Sequence, residues 1–295
     1  MALSLSVLAL SASVTLLTNA ADSTLVERIR REVATIPGAV VGVSYHDLGT
    51  GARWDLNGDS VFHAASTMKV PVLIELFRQA DRHELNLDQS ILLVNQFGSI
   101  VDASPYSLNP SDDSDSLVYT RVGERVPIRW LADRMITESS NLSTNALIAL
   151  VGAEHADATA RALGARHTRV LRGVEDIKAF DRGLINETTP NDLAELLTAI
   201  EQRRAASPGA CDAMLEILAR NTDNVMIPAG LPAGTRVAHK TGAITATRHD
   251  AAIVYPPGRA PYVLTIYTRG IPVPENAERL MASISRMVWE AREAR

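Results

Sequence analysis

The hydrophobic period changes twice along this chain, and that order constrains its fold more than any other feature. Ala39 to His46 is a strand-like run, and Asp47-Leu48-Gly49-Thr50-Gly51 turns it into a second strand at 52–56. From Thr235 the strand pattern returns at 235–240, 248–255 and 261–268, interrupted by Pro256-Pro257-Gly258. Between these ends the pattern is helical, at 67–82, 127–138, 141–151, 154–163, 190–203 and 209–219. Helical patterns also lie at 23–35, where Leu25, Val26, Ile29, Val33 and Ile36 recur, and at 274–292. An α/β (α+β) fold fits this order: an antiparallel sheet built from both chain ends, flanked by terminal helices, with an all-helical insertion. The sheet part is expected at about 22–65 and 205–295 and the helical part at about 66–204, in one domain spanning 22–295.

With 46% hydrophobic and 21% charged residues, the chain can bury a sizeable core. A net charge of -5 and the lack of a basic tract argue against a nucleic-acid partner. The single cysteine, Cys211, excludes an intrachain disulfide and a cysteine metal cluster, and packing is its expected role. Met1 to Leu17 carry no charge, and Thr18-Asn19-Ala20 precedes Asp22. This resembles the apolar core and cleavage site of a secretory leader, although the positive n-region is missing. Residues 1–21 are therefore expected to be a signal peptide. The product would be periplasmic or secreted, with no stable membrane insertion after cleavage. The stretch 98–118 is polar and turn-rich around Ser111-Asp112-Asp113-Ser114-Asp115-Ser116. It lacks the spacing of a calcium loop and is expected to be a solvated insertion.

Lysine is scarce: only Lys69, Lys178 and Lys240 occur, among 29 lysines and arginines. Two of the three sit in short motifs, Ser66-Thr67-Met68-Lys69 and Lys240-Thr241-Gly242. A buried lysine can lose its proton and act as a base, whereas arginine effectively cannot. Serine hydroxyl needs such a neighbour to become a nucleophile. If Ser66 opens a helix, Lys69 lies one turn on along the same face. The helix start also offers N–H groups to a developing oxyanion. Ser-x-x-Lys alone is common by chance. A second piece, Glu138-Ser139-Ser140-Asn141, lies between two helical runs and reads locally as a helix cap. A third, His239-Lys240-Thr241-Gly242-Ala243, lies on a late strand, where glycine permits close approach to the strand edge.

In order and placement the three motifs resemble those of class A β-lactamases and penicillin-binding proteins. The resemblance covers roughly residues 23–292. It is supported by Phe62-His63-Ala64-Ala65, Met135-Ile136-Thr137 and Val237-Ala238 ahead of the motifs. It implies an active site between sheet and helices. There Ser66 is acylated, Lys69 is the base, Ser139 passes the proton to the β-lactam nitrogen, and Asn141 holds the substrate amide. Lys240, Thr241 and Gly242 would receive the substrate carboxylate, with Arg248 assisting. Ala243 N–H would complete an oxyanion hole with that of Ser66. No cofactor or metal is implied. The expected partner is a small β-lactam or a cell-wall peptide, and the chain is expected to be a monomer.

Two departures stand out. The second motif is usually Ser-Asp-Asn, and here it is Ser139-Ser140-Asn141. The family's Ω-shaped loop also carries a deacylating glutamate two residues after an arginine. Counted from Arg172, that position is Val174; Glu175 comes one residue late, and Lys178 stands where an asparagine is usual. A bulge at Gly173 would deliver Glu175, and an Arg172–Glu187 ion pair would close the loop. Without a working Glu175 the acyl-enzyme would persist, as in D-Ala-D-Ala peptidase relatives or an acylated sensor. His249-Asp250 is expected to be strand packing rather than part of a triad.

Overall fold

A computed structural model describes residues 20–294. The expected leader therefore lies outside the described residues, apart from the alanines that begin the first helix. Five antiparallel strands form the main sheet: β1 (Val40–Asp47), β2 (Arg53–Leu56), β3 (Arg236–Ile244), β4 (Thr247–Tyr255) and β5 (Tyr262–Arg269). Their order is β2-β1-β5-β4-β3, so the two chain ends meet where β1 pairs with β5, Val40 facing Arg269 and Asp47 facing Tyr262.

Alternation sorts the strand side chains onto two faces. On one face Val41, Val43, Ala252, Val254, Leu264 and Ile266 pack with α1 (Ala20–Ala34) and α8 (Pro274–Glu293), through Leu25, Ile29, Leu280 and Ile284. On the other, Ala238, Ala251, Ile253, Val263 and Tyr267 join the core of the helical layer. That layer contains α2 (Lys69–Asp81), α3 (Ile128–Thr137), α4 (Asn141–Val151), α5 (Ala153–Ala162), α6 (Pro190–Glu201) and α7 (Pro208–Leu218). Helix α2 runs through its middle, with Val70, Val72, Leu73, Ile74 and Leu76 all fully buried, which explains why it is apolar on every side. Cys211 is buried in the same core. Helices α6 and α7 begin at Pro190 and Pro208, and Thr189 and Ser207 cap them by accepting from Asp192 N and Ala210 N. Among the described residues no helix is long and apolar enough to cross a membrane.

The polar stretch around 111–116 is largely exposed, as its composition suggests, but its acids also engage the helical layer. Asp115 is buried and accepts from Arg134 Nε and Nη2 at 2.7 and 2.6 Å. Asp113 Oδ2 accepts from the backbone N–H of Asn141 and Leu142, at 2.9 and 3.0 Å. The acids of this loop bind an arginine and a helix start, so it clasps the α3–α4 junction.

Candidate active site

Helix geometry assembles the first part locally. Residues Ala65–Met68 form a 3₁₀ turn that runs into α2, so half-buried Ser66 lies one turn before fully buried Lys69. Ala65 enters this turn with a left-handed φ of 45°. Strand β3, at the sheet edge, comes up against it. A Cβ on Gly242 would sit 3.0 Å from Ser66 N and 3.2 Å from Ala65 Cβ, so a side chain here would press on the Ser66 turn. Exposed Ala243 follows and lines the same cavity as Ser66.

The α3–α4 junction supplies the second part. Ser139 turns the chain with a φ of 59°, and Ser140 caps α4 by accepting from Ser143 N at 3.2 Å. Lys69 Nζ donates to Ser139 O at 2.6 Å, Ser139 Oγ at 3.1 Å and Asn141 Oδ1 at 3.0 Å. Lys240 Nζ donates to Ser139 Oγ at 3.0 Å and Thr241 O at 2.8 Å. One hydroxyl thus bridges two buried lysines. Burial, and then the charge of Lys240, hold the Lys69 ammonium well below the usual lysine range; Asp113 and Glu175 oppose that shift. Burial lowers Lys240 to about 8.

The loop between Arg169 and Glu187 supplies the third part. Asn145 grips Val174 at both backbone groups: Oδ1 accepts from Val174 N at 2.7 Å, and Nδ2 donates to Val174 O at 3.0 Å. Gly173 permits this, since its Cβ would lie 2.4 Å from Asn145 Oδ1. Glu175 then takes a left-handed φ of 62°, and its Oε1 accepts from Asn141 Nδ2 at 2.9 Å. Burial raises the Glu175 carboxyl, an effect that the Asn141 bond opposes. Asp176 ties the loop to its neighbour, accepting from Ser99 Oγ at 2.8 Å and Ile100 N at 2.9 Å. Left-handed backbone at Ala65, Ser139 and Glu175 costs on the order of 1–3 kcal/mol at each, a strain characteristic of functional sites.

A cavity of about 430 Å³ is bounded by Ser66, Asn141, Val174, Glu175, Phe180 and Ala243, among others. Ile177 and Phe180 on its rim are 63% and 51% exposed, an apolar surface next to the polar cluster. A larger cavity, about 1050 Å³, lies away from this cluster beside α1, β2 and α6, and none of the motif residues lines it.

The structure thus brings Ser66, Lys69, Ser139, Asn141, Glu175 and the Lys240–Ala243 segment around one cleft. Arg248 is not among them. It follows Thr247 on the strand face that carries Asp250 and Ala252, so it projects toward α8; its Nε lies 3.6 Å from Glu278 Oε1. Arg172 also departs from expectation. Its guanidinium donates to Leu184 O and Gly173 O, at 2.7 and 2.9 Å, rather than pairing with Glu187. The loop neck is closed instead by backbone pairing of Arg169 with Glu187 and by the Asn186 side chain, which bonds Leu171 N and Arg172 O at 2.8 and 2.9 Å. Lys178 lies outside the cleft on Asp102 and Ser104. His249 packs, as expected, stacked 4.1 Å from the Tyr267 ring.

Sequence reasoning missed Asp113 and Asn145. For Asn145 a signal existed: it stands four residues after Asn141 on a helix otherwise rich in leucine. A buried amide there needs a partner.

The model of the beta-lactamase enzyme family matches residues 24–291. The β-lactamase AST-1 of Nocardia asteroides is 31% identical over 265 residues, covering 88% of this chain and 81% of the relative. A β-lactamase of Streptomyces albus G is 28% identical, covering 78% and 73%. Among solved structures, PBP-A superposes with a TM-score of 0.80 at 29% identity, covering 92% of this chain and 97% of that one. An ancestral class A β-lactamase superposes with a TM-score of 0.79 at 28% identity, covering 90% and 99%. By sequence, fold and relatives, the chain belongs to the beta-lactamase enzyme family, as a hydrolase of the class A serine type.

Proposed function

We propose that the protein opens the β-lactam amide through an acyl-enzyme on Ser66. The supporting observation is the bridge that Ser139 Oγ makes between Lys69 and Lys240, at 3.1 and 3.0 Å. Neutral Lys69 takes the Ser66 proton as Oγ attacks the carbonyl carbon. The N–H groups of Ser66 and Ala243 receive the oxyanion. Ser139 passes a proton to the leaving ring nitrogen as the C–N bond breaks. Lys240 and Thr241, beside Gly242, hold the substrate carboxylate, and Asn141 the side-chain amide. Glu175 then takes a proton from the water that attacks the ester, and that proton returns to the departing Ser66 oxygen, which frees Ser66 and the opened product.

A second reading is a penicillin-binding enzyme acting on cell-wall peptides, whose acyl-enzyme persists. It is favoured by the grip of Asn145 on Val174, which leaves an apolar side chain at the position where the family's glutamate is counted. A single-residue variant of PBP-A is known as an acyl-enzyme complex with penicillin G. Export through residues 1–21 as a signal peptide is part of this proposal.

Intact-protein mass spectrometry with benzylpenicillin, run beside release of the opened product, decides between these. A transient adduct with many turnovers supports hydrolysis. A lasting adduct without turnover supports the second reading. An adduct of equal yield on a Ser66→Ala variant would reject the nucleophile in both.

A further inference from the structure

The usual second motif places an aspartate between its serine and asparagine; this chain has buried Ser140 there. Ser140 caps Ser143 N. The preceding amides, of Asn141 and Leu142, go to Asp113 Oδ2, at 2.9 and 3.0 Å, an acceptor 28 residues earlier in the chain. Tyr119 OH donates to the same oxygen at 3.0 Å. Ser114 Oγ, next to Asp113, donates to Glu138 O. All three acceptors of Lys69 Nζ belong to Ser139 and Asn141, the residues that this clasp holds.

We propose that Asp113 is a positioning residue of the cleft, replacing the motif's missing acid by fixing the start of α4 and setting a negative charge near Lys69. It touches no reacting atom in this reading. It acts through Asn141 and Ser139 by geometry, and through space on Lys69 by charge. The charged groups that face Lys69 are Lys240 from β3, Glu175 from the loop and Asp113; the first favours the neutral amine, and the two acids oppose it. Asp113 opposes ionisation of Glu175 as well. The inference rests on the proposed roles of Ser66 and Lys69 only for its kinetic consequence.

Two variants separate the two effects. Asp113→Asn keeps an oxygen acceptor for the α4 amides and loses the charge, whereas Asp113→Ala loses both. Because the chain has three lysines, [ε-¹³C]lysine NMR gives three signals, assignable with Lys178→Arg and Lys240→Arg. In Asp113→Asn the titration midpoint of Lys69 should fall. An unchanged Lys69 midpoint overturns the proposal, whether or not the protein reacts with penicillins. Acylation by benzylpenicillin should keep most of its plateau rate in Asp113→Asn, with its acid limb moved to lower pH. In Asp113→Ala the plateau should drop about ten- to a hundredfold. A plateau in folded Asp113→Ala equal to the parent's also overturns it. If the parent forms no adduct, the Ser66 reading fails and the NMR titration still decides the role of Asp113.

Discussion

Asn141 donates from Nδ2 to Glu175 Oε1 at 2.9 Å, while its own Oδ1 accepts from Lys69 at 3.0 Å. The carboxylate that motif counting leaves one residue late therefore reaches the asparagine that Lys69 also reaches. Glu175 does so in a left-handed conformation, with a φ of 62°.

Glu175→Gln should leave acylation nearly intact and slow deacylation by about two to four orders of magnitude, the usual contribution of a general base. Single-turnover mass spectrometry should find the adduct accumulating. Deacylation that continues at the parent rate would remove Glu175 from the mechanism.

The pH dependence of the two half-reactions should differ. In the proposed mechanism Glu175 works ionised, and burial raises its carboxyl, so deacylation should rise with pH through a midpoint above the ordinary carboxylate range. In the same mechanism Lys69 works neutral, and burial beside Lys240 lowers its ammonium, so acylation should persist well below the usual lysine range. Rapid-quench measurements of each step against pH check both signs.

Lys69→Arg should slow acylation by about two orders of magnitude or more, because guanidinium keeps its proton. An adduct forming at the parent rate would mean that another group takes the Ser66 proton.

Asn145→Ala leaves Val174 N and O without their side-chain partner, a loss of about 1–3 kcal/mol if water does not replace it. Urea denaturation measures that loss. The loop should also loosen, so deacylation should fall more than acylation; equal losses would mean that the loop does not position Glu175.

Arg248→Ala should change KM for benzylpenicillin by less than about twofold and cost under about 1 kcal/mol of stability, since its ionic partner is part-exposed Glu278 on α8. A large rise in KM would return Arg248 to the cleft. Lys240→Ala, by contrast, should raise KM strongly.

The order of periods already determined the fold. Alternating segments at the ends and 3.6-residue segments between them leave an end-joined antiparallel sheet with a helical insertion as the arrangement that buries both sets of apolar faces. Ser66 and Lys69 were also legible, because one turn of helix fixes their spacing locally. The tertiary structure decided what depends on partners far away in the chain. Strand pairing and alternation put Arg248 on the α8 face and Lys240 on the cleft face. The Asn145 grip and one left-handed residue brought Glu175 to Asn141, where a count along the chain points to Val174. Asp113 found its partners in α4 across 28 residues. Spacing along one helix is set by backbone geometry, whereas contacts across the molecule are set by which buried amides and charges need partners.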